Sequence, residues 1–223
     1  MHPADIHHVL HARRSTRAYT DAPLPTDLVF EVLQAAASAP SNANTQPWRV
    51  HVLTGAPVQT LGAALKAAFT RGEHPASVHF PDPLPQEFGA LQADFAERYY
   101  GALDIARGDS TARAAQTLKN FSFFGAPIGL IFTIDGRLNR HSWLDLGLFV
   151  QSVMLAAKAR GIDTCPQVSF ARFHDVIASE LRLPDAEVTV CGMSMGYGDA
   201  TAAVNQIAMP RRRVEEFARV VGA

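Results

Sequence analysis

The sequence predicts an α+β protein in which amphipathic helices surround a few short core strands. Apolar residues recur at helical spacing in six segments, residues 5–13, 26–39, 59–69, 86–107, 143–160 and 173–181. Short runs rich in apolar and β-branched residues predict strands at 48–53, 128–134 and 188–193. Because helices and strands follow one another in mixed order, the α+β class accounts for the pattern.

A polar loop separates the second predicted helix from the first predicted strand. Thr26 is placed to cap that helix, and Pro40 ends it because proline disfavours a helical conformation in the residue before it. Residues 41–46, which we call the amide loop, therefore lead into the strand. Loops that are held by rigid elements are common binding sites.

We predict a single domain that spans residues 1–223. Its residues 71–110 are expected to form an excursion from the core. The excursion begins with an extended stretch marked by four prolines, Pro75, Pro81, Pro83 and Pro85, before the helix at 86–107. Its aromatic residues are candidates for a pocket lid, although aromatic residues at this spacing also belong to cores. They are Phe80, Phe88, Phe95, Tyr99 and Tyr100.

The predicted helix at 143–160 is apolar on most of its circumference, so it has to be covered on every side. A single domain of this size could cover it. A dimer interface would do so more easily, because obligate interfaces resemble a core that has been cut in half.

Composition narrows the classes of partner and compartment. The net charge of −1 gives no excess of basic groups for nucleic acid or an anionic membrane, so we expect a small-molecule partner. The two cysteines, Cys165 and Cys191, lack C-x-x-C spacing, which fits a reducing, cytoplasmic compartment. No signal peptide is expected at the N-terminus, and the apolar window at 144–157 is shorter than the ~20 residues of a membrane span.

Two short motifs near the N-terminus carry groups suited to a nucleotide-like cofactor. The first, Arg13-Arg14-Ser15-Thr16-Arg17, offers guanidinium groups and a hydroxyl for charge-assisted hydrogen bonds to a phosphate. We call it the arginine motif. The second is the amide loop and the Pro-Trp that follows it, whose amides and hydroxyls suit the edge of a planar heteroaromatic ring.

These motifs resemble those of the nitroreductase family of FMN-dependent oxidoreductases. The family opens with Arg-Arg-Ser-x-Arg-x-aromatic, here residues 13–19, and follows it with Asn-x-Gln-Pro-Trp, here residues 44–48. The segment 161–167 resembles the family loop that lies against the isoalloxazine ring. Residues 211–216 resemble its closing Arg-x-Pro-Leu-Glu-Glu segment, with Arg213 where proline is usual.

The resemblance implies a mixed or antiparallel central sheet, an intertwined homodimer and a set of FMN contacts. In the family the segment that corresponds to residues 41–44 reaches the flavin of the other subunit, and backbone amides after the long helix lie near flavin N5. The implied contacts are Arg13, Arg14, Ser15, Arg17, Pro40, Ser41, Asn42, Asn44, Gln46, Pro166, Gln167, Val168, Ser169, Arg211 and Arg213.

The implied activity is reduction of nitroaromatic compounds, with quinones as a second acceptor class, by a ping-pong mechanism. NAD(P)H serves as a transient hydride donor, FMN is held tightly without a covalent link, and no side chain has to act as acid or base. A dehalogenase or oxidase on the same fold, or a non-catalytic flavin-binding protein, remains an alternative.

Three other patterns receive structural interpretations. Residues 192–196 fit the G-x-S-x-G nucleophile elbow, but a hydrolase of that fold needs a histidine after the serine, and His174 is the last histidine. His7 and His11 have helical i, i+4 spacing without an evident third ligand, so we expect no metal site. Cys165 is interpreted as a small buried apolar residue rather than a redox thiol.

Overall fold

The structure is a computed structural model, and it describes residues 3–73 and 83–222. The helices in this part of the chain are Pro3–Ala12 (α1), Thr26–Ala36 (α2), Ala56–Arg71 (α3), Gln86–Gly101 (α4), Ser110–Leu118 (α5), Arg140–Lys158 (α6) and His174–Leu181 (α7). The strands are Arg49–Thr54 (β1), Ile128–Asp135 (β2), Asp163–Gln167 (β3) and Glu187–Gly196 (β4). The α+β prediction is confirmed.

The four strands that the described residues form make one sheet in the order β1-β2-β4-β3, and each neighbouring pair is antiparallel. The expected central sheet is therefore antiparallel rather than mixed. The strand β2 is buried along nearly its whole length because both of its faces are covered.

Two apolar clusters cover the two faces of this sheet. Successive side chains of a strand point to opposite faces, so Leu130 and Phe132 share the face that packs on α2 and α6. Ile131 points the other way, into a cluster with α3 and α7. The long helix α6 thus has one face in the core, as its apolar sequence requires.

Glycines in the two central strands let aromatic rings lie directly on the sheet. A Cβ atom on Gly129 would lie 2.6 Å from the Phe123 ring, and one on Gly192 would lie 2.8 Å from the Phe170 ring. Gly192 belongs to the G-x-S-x-G pattern, and Ser194 of that pattern is fully buried within β4. Packing therefore explains this pattern, which forms no exposed nucleophile elbow.

Several helix ends lie up to three residues from their predicted positions, and α2 ends at Ala36 rather than beside Pro40. The structure also differs from the sequence prediction at three other places. Thr26 is the first residue of α2, whose N-cap is Pro25 without a side-chain bond, so the predicted Thr26 cap is wrong. The helix predicted over 86–107 ends at Gly101, and a separate helix α5 follows with Asp109 as its cap. The strand β3 was not predicted, because the pattern of 161–167 indicates a loop.

Part of the excursion falls outside the described residues, including Pro75, Phe80 and Pro81. Of its other aromatic residues, Tyr99 is buried and stacks against Phe95 with ring centroids 5.4 Å apart. No helix in residues 3–73 or 83–222 is long and apolar enough to cross a membrane.

Candidate active site

A cleft of about 640 Å³ lies between the arginine motif, the chain around residues 204–212 and one side of α4. Two segments that are far apart in sequence, residues 10–17 and 204–212, thus meet at one place. From the arginine motif come Arg13, Arg14, Ser15 and Arg17, and from the C-terminal segment come Arg211 and Arg212. The helix α4 supplies Leu91, Asp94 and Phe95.

The arginine motif is fixed to the edge of the sheet where β3 lies. It starts directly after α1, and Ser15 forms an isolated parallel bridge with Thr164 of β3. The backbone N–H of Thr16 donates to the carbonyl of Thr164 at 3.0 Å. Two residues beyond the motif, Tyr19 forms an antiparallel bridge with Gly198. Main-chain hydrogen bonds therefore hold the backbone of the motif against β3.

The cleft has an excess of positive charge. Five arginines line it. Among the residues lining the cleft, the carboxylate is Asp94, which is paired with Arg98 at 2.9 Å. Arg17 lies over the Tyr99 ring at 5.1 Å, which adds a cation–π contact. Such a donor set matches the phosphate chemistry that the sequence predicts.

The amide loop is exposed and has an unusual backbone. Ala43, Asn44 and Gln46 have φ values of 50°, 57° and 46°, in the left-handed region. A residue other than glycine in this region has a conformational energy raised by about 1–3 kcal/mol. Other contacts therefore have to hold these three residues in place. Within the loop, the backbone N–H of Gln46 donates to Ser41 Oγ at 3.0 Å.

The helix α6 holds both ends of the amide loop. At the start, the backbone N–H of Asn42 donates to Oδ2 of Asp145, a buried carboxylate, at 3.1 Å. Just after the loop, the Trp48 ring stacks on Phe149 at 4.6 Å with an interplanar angle of 4°. Asp145 and Phe149 are four residues apart on one helix face. The sequence analysis missed Asp145, and an acid inside an apolar helix was the available signal.

Segment 166–169 covers the end of β3 and the turn after it. The Gln167 side chain donates from Nε2 to the Asn120 carbonyl at 2.8 Å. Its Oε1 and the Ser169 Oγ are buried and have no hydrogen-bond partner among the described residues. Buried polar atoms of this kind call for a partner, and a bound polar ring would supply one. Val168 is exposed beside them.

The predicted residues do not all meet in one chain. Arg13, Arg14, Ser15, Arg17 and Arg211 line the cleft, while the residues of the amide loop and of segment 166–169 do not. Pro40 is exposed before the amide loop. Arg213 lies outside the cleft lining, and its backbone N–H donates to Glu216 Oε2 at 2.7 Å.

Two further sequence interpretations concern residues near this site. Cys165 is almost fully buried, and burial raises the pKa of its thiol, which fits a small apolar residue. His11 lines the cleft. Among the residues that the structure describes, no three His, Cys, Asp or Glu side chains form a metal-binding group.

The donor set fits FMN on two observations from this structure: a cationic cleft for the phosphate and buried, unpartnered polar atoms for a ring edge. The fold and the cleft define an α+β protein in which an N-terminal and a C-terminal segment together offer the arginine side chains that suit a phosphate group. The chain belongs to the nitroreductase family, whose sequence model matches residues 10–197. The resemblance seen in the motifs is thereby confirmed.

Characterised relatives match nearly the whole chain. It is 46% identical to a 4-nitrobenzoate reductase of Pseudomonas putida, over 98% of this chain and 96% of the relative. It is 40% identical to a chloronitrobenzene nitroreductase of Comamonas testosteroni, over 97% and 96%. The FMN-dependent nitroreductase NfnB of Mycobacterium smegmatis, solved in complex with NADPH, is 32% identical and superposes with a TM-score of 0.93 over 98% of each chain.

Proposed function

We propose that this protein is an FMN-dependent oxidoreductase that takes hydride from NAD(P)H and reduces nitroaromatic compounds, with quinones as a second class of acceptor. The observation that carries the proposal is the cleft in which the arginine motif and Arg211 come together. The activities named for its relatives support the nitroaromatic class. They do not favour a dehalogenase, an oxidase or a non-catalytic flavin-binding protein.

The chain offers two sets of groups to FMN. The phosphate would be held by Arg13, Arg14, Ser15, Arg17 and Arg211, with Arg213 as a more distant contributor. The ring would be held by Pro40, Ser41, Asn42, Asn44, Gln46, Pro166, Gln167, Val168 and Ser169. Each charge-assisted hydrogen bond to the phosphate contributes about 1.5–3 kcal/mol, so several arginines suffice for tight, non-covalent binding.

FMN held by these residues would supply the redox chemistry between NAD(P)H and the acceptor. The residues of the chain bind and orient. The cationic cleft holds the phosphate end, and amide and hydroxyl groups orient the ring edge. NAD(P)H and the acceptor would bind in turn, which predicts ping-pong kinetics. No side chain is required as a general acid or base.

We propose a homodimer in which the amide loop completes the site of the partner subunit. Support comes from α6, which exposes Trp143, Leu144 and Leu148 with 42%, 65% and 41% of their surface accessible. Large apolar side chains on one helix face mark an interaction surface. The same helix holds the amide loop, so an interface on α6 would bring that loop to a second chain.

Three smaller proposals accompany this function. We propose a single domain over residues 1–223, supported by one sheet that both apolar clusters share. A cytoplasmic location is supported by two cysteines that are both free.

The excursion would act as a lid that selects acceptors, since Leu91 and Phe95 of α4 line the cleft. Replacing its proline-rich part, residues 71–85 ahead of α4, should change acceptor preference and leave FMN bound, whereas unchanged preference would refute the lid.

The visible absorption spectrum of the purified protein tests the function. We expect two flavin bands that bleach on anaerobic addition of NADPH or NADH, FMN released by heating, and reoxidation of the bleached protein by a nitroaromatic acceptor. A colourless protein that stays colourless after incubation with FMN would refute the proposal.

A further inference from the structure

Asn205 joins the two chain segments that form the cleft. It lies in the C-terminal segment, six residues before Arg211, and it is half-buried. Its side-chain Oδ1 accepts the backbone N–H of Arg17 at 2.8 Å. Its Nδ2 donates to the carbonyl of Ala18 at 2.8 Å and to that of Asp199 at 2.9 Å. One amide therefore binds the backbone at three points.

The pattern of donors and acceptors fixes the orientation of this amide. A backbone N–H can only donate and the two carbonyls can only accept, so oxygen and nitrogen of the side chain cannot be exchanged. A side chain of this length with one acceptor and two donors is asparagine. In addition, the main-chain carbonyl of Asn205 accepts from Arg14 Nη1 at 3.3 Å.

We infer that Asn205 is a positioning residue that sets the spacing between the arginine motif and Arg211, and thereby the affinity for the phosphate of the cofactor. The inference rests on the proposed function. Arg14 and Arg17 are held from one side by this residue, and Arg211 follows it on the same segment. Guanidinium groups bind phosphate well only when their forks are placed correctly, so loss of the bridge weakens that contact in particular.

A comparison of FMN with riboflavin separates this role from a purely structural one. Riboflavin carries the same ring and lacks the phosphate, so a residue that acts through the phosphate grip changes only the affinity for FMN. For Asn205→Ala we expect FMN affinity to fall by about tenfold or more, since more than one hydrogen bond of the grip is disturbed, while riboflavin affinity stays within about twofold. Both affinities are measured by fluorescence titration of the apo-protein.

The matched control is Asn139→Ala, which removes the asparagine cap of α6 where Oδ1 accepts the His141 N–H at 3.0 Å. This variant should leave the ratio of the FMN and riboflavin affinities at the wild-type value. Asn205→Ser is the second variant and keeps a small polar side chain if alanine impairs folding. Hydrogen exchange of the Arg17 amide in the apo-protein gives a readout without any flavin, and we expect faster exchange in both Asn205 variants.

The outcomes divide clearly. A loss confined to FMN, with faster exchange at Arg17, supports the inference. An equal loss for FMN and riboflavin would show that Asn205 supports the fold in general, and no loss for either would show that the bridge is dispensable; both results overturn it. A wild-type protein that binds neither flavin would refute the proposed function itself and this inference with it.

Discussion

The cleft and the amide loop are built in opposite ways. The cleft depends on contacts between distant parts of the chain, because Asn205 reaches Arg17 across 188 residues of sequence. The amide loop is local, and both of its ends are held by the single helix α6. The cleft is complete within one chain, whereas the loop is exposed and lines no part of it.

This difference indicates which region of the proposed site would bind the phosphate of the flavin and which would bind its ring. The cleft proposed for the phosphate is lined by residues of a single chain. The half that would read the ring has a shaped backbone and free polar groups, and it lies on the helix with the exposed apolar face. We therefore expect variants of the two regions to differ in dimerisation, in selectivity between flavins and in stability.

The largest effect is expected from Leu148→Glu on the exposed face of α6. A charge buried without a partner costs about 3–5 kcal/mol, so dimer dissociation should become at least ~100-fold more favourable. Bound FMN should be lost in parallel. Sedimentation equilibrium with detection at flavin wavelengths measures both. Leu138→Glu, similarly exposed in the turn before α6, is the control. A Leu148→Glu dimer with full flavin content would contradict the proposed interface.

Removal of one cleft arginine comes next. Arg14→Ala should lower FMN affinity by about 10- to 100-fold, from the loss of a charge-assisted bond of about 1.5–3 kcal/mol. Riboflavin affinity should change little. Fluorescence titration provides both values, and Arg71→Ala is the control because its guanidinium pairs with Glu73 outside the cleft. Equal FMN affinity in Arg14→Ala and wild type would remove this arginine from the phosphate site.

Removing the carboxylate of Asp145, which anchors the amide loop, should lower the affinity for both flavins. Asp145→Ala leaves the Asn42 N–H without its acceptor, which should lower the free energy of unfolding by about 1–3 kcal/mol. Affinities for FMN and riboflavin should fall together, because the loop is expected to read the ring. Asp145→Asn retains an acceptor oxygen and should have a smaller effect. Urea denaturation and flavin titration check the pair, and a loss confined to FMN would contradict the division of roles.

The smallest effect concerns a buried acid at the far end of β4, outside both regions. Burial alone raises the pKa of Glu187, but hydrogen bonds from His51 and Thr133, together with nearby Arg49, outweigh it and lower that pKa. A lowered folded-state pKa stabilises the protein above the unfolded value of about 4.3 and loses this effect as the pH falls through the folded value.

Glu187→Gln should therefore flatten the acid side of the stability curve below about pH 4.3, measured by urea denaturation across pH. Flavin affinities at pH 7 should stay at the wild-type values. A change in the ratio of FMN to riboflavin affinity would mean that this end of the sheet communicates with the cleft.

Local sequence patterns predicted the elements whose residues are similarly buried along their whole length. The strand β2 is a buried apolar run, and its predicted bounds of 128–134 agree with Ile128–Asp135. In contrast, β3 has five residues, includes Pro166 and has β4 as its one neighbouring strand among the described residues, so it lacks a period-2 signal. The helix α5 was missed because its main buried residue is polar, Gln116, which bonds to Tyr99.

The same distinction applies to the candidate site. The arginine motif is contiguous, so its suitability for binding a phosphate can be predicted from five consecutive residues. Asn205 acts through contacts with Arg17 and Ala18, 188 and 187 positions away, and Asp145 acts through a contact 103 positions away. The sequence gives no sign of these pairings. Positions that hold a site together therefore require the structure, whereas groups that contact a ligand can be predicted from local sequence.

The central claim is that the arginine cleft and the amide loop of each flavin site come from different chains, and subunit complementation tests it most directly. One chain carries Arg14→Ala and Arg211→Ala, the other carries Asn42→Ala and Gln46→Ala, and two affinity tags isolate the mixed dimer. We predict that each parent dimer binds FMN poorly and that the mixed dimer recovers about one FMN, because one of its sites has both halves intact. A mixed dimer that binds no more FMN than its parents would contradict the claim.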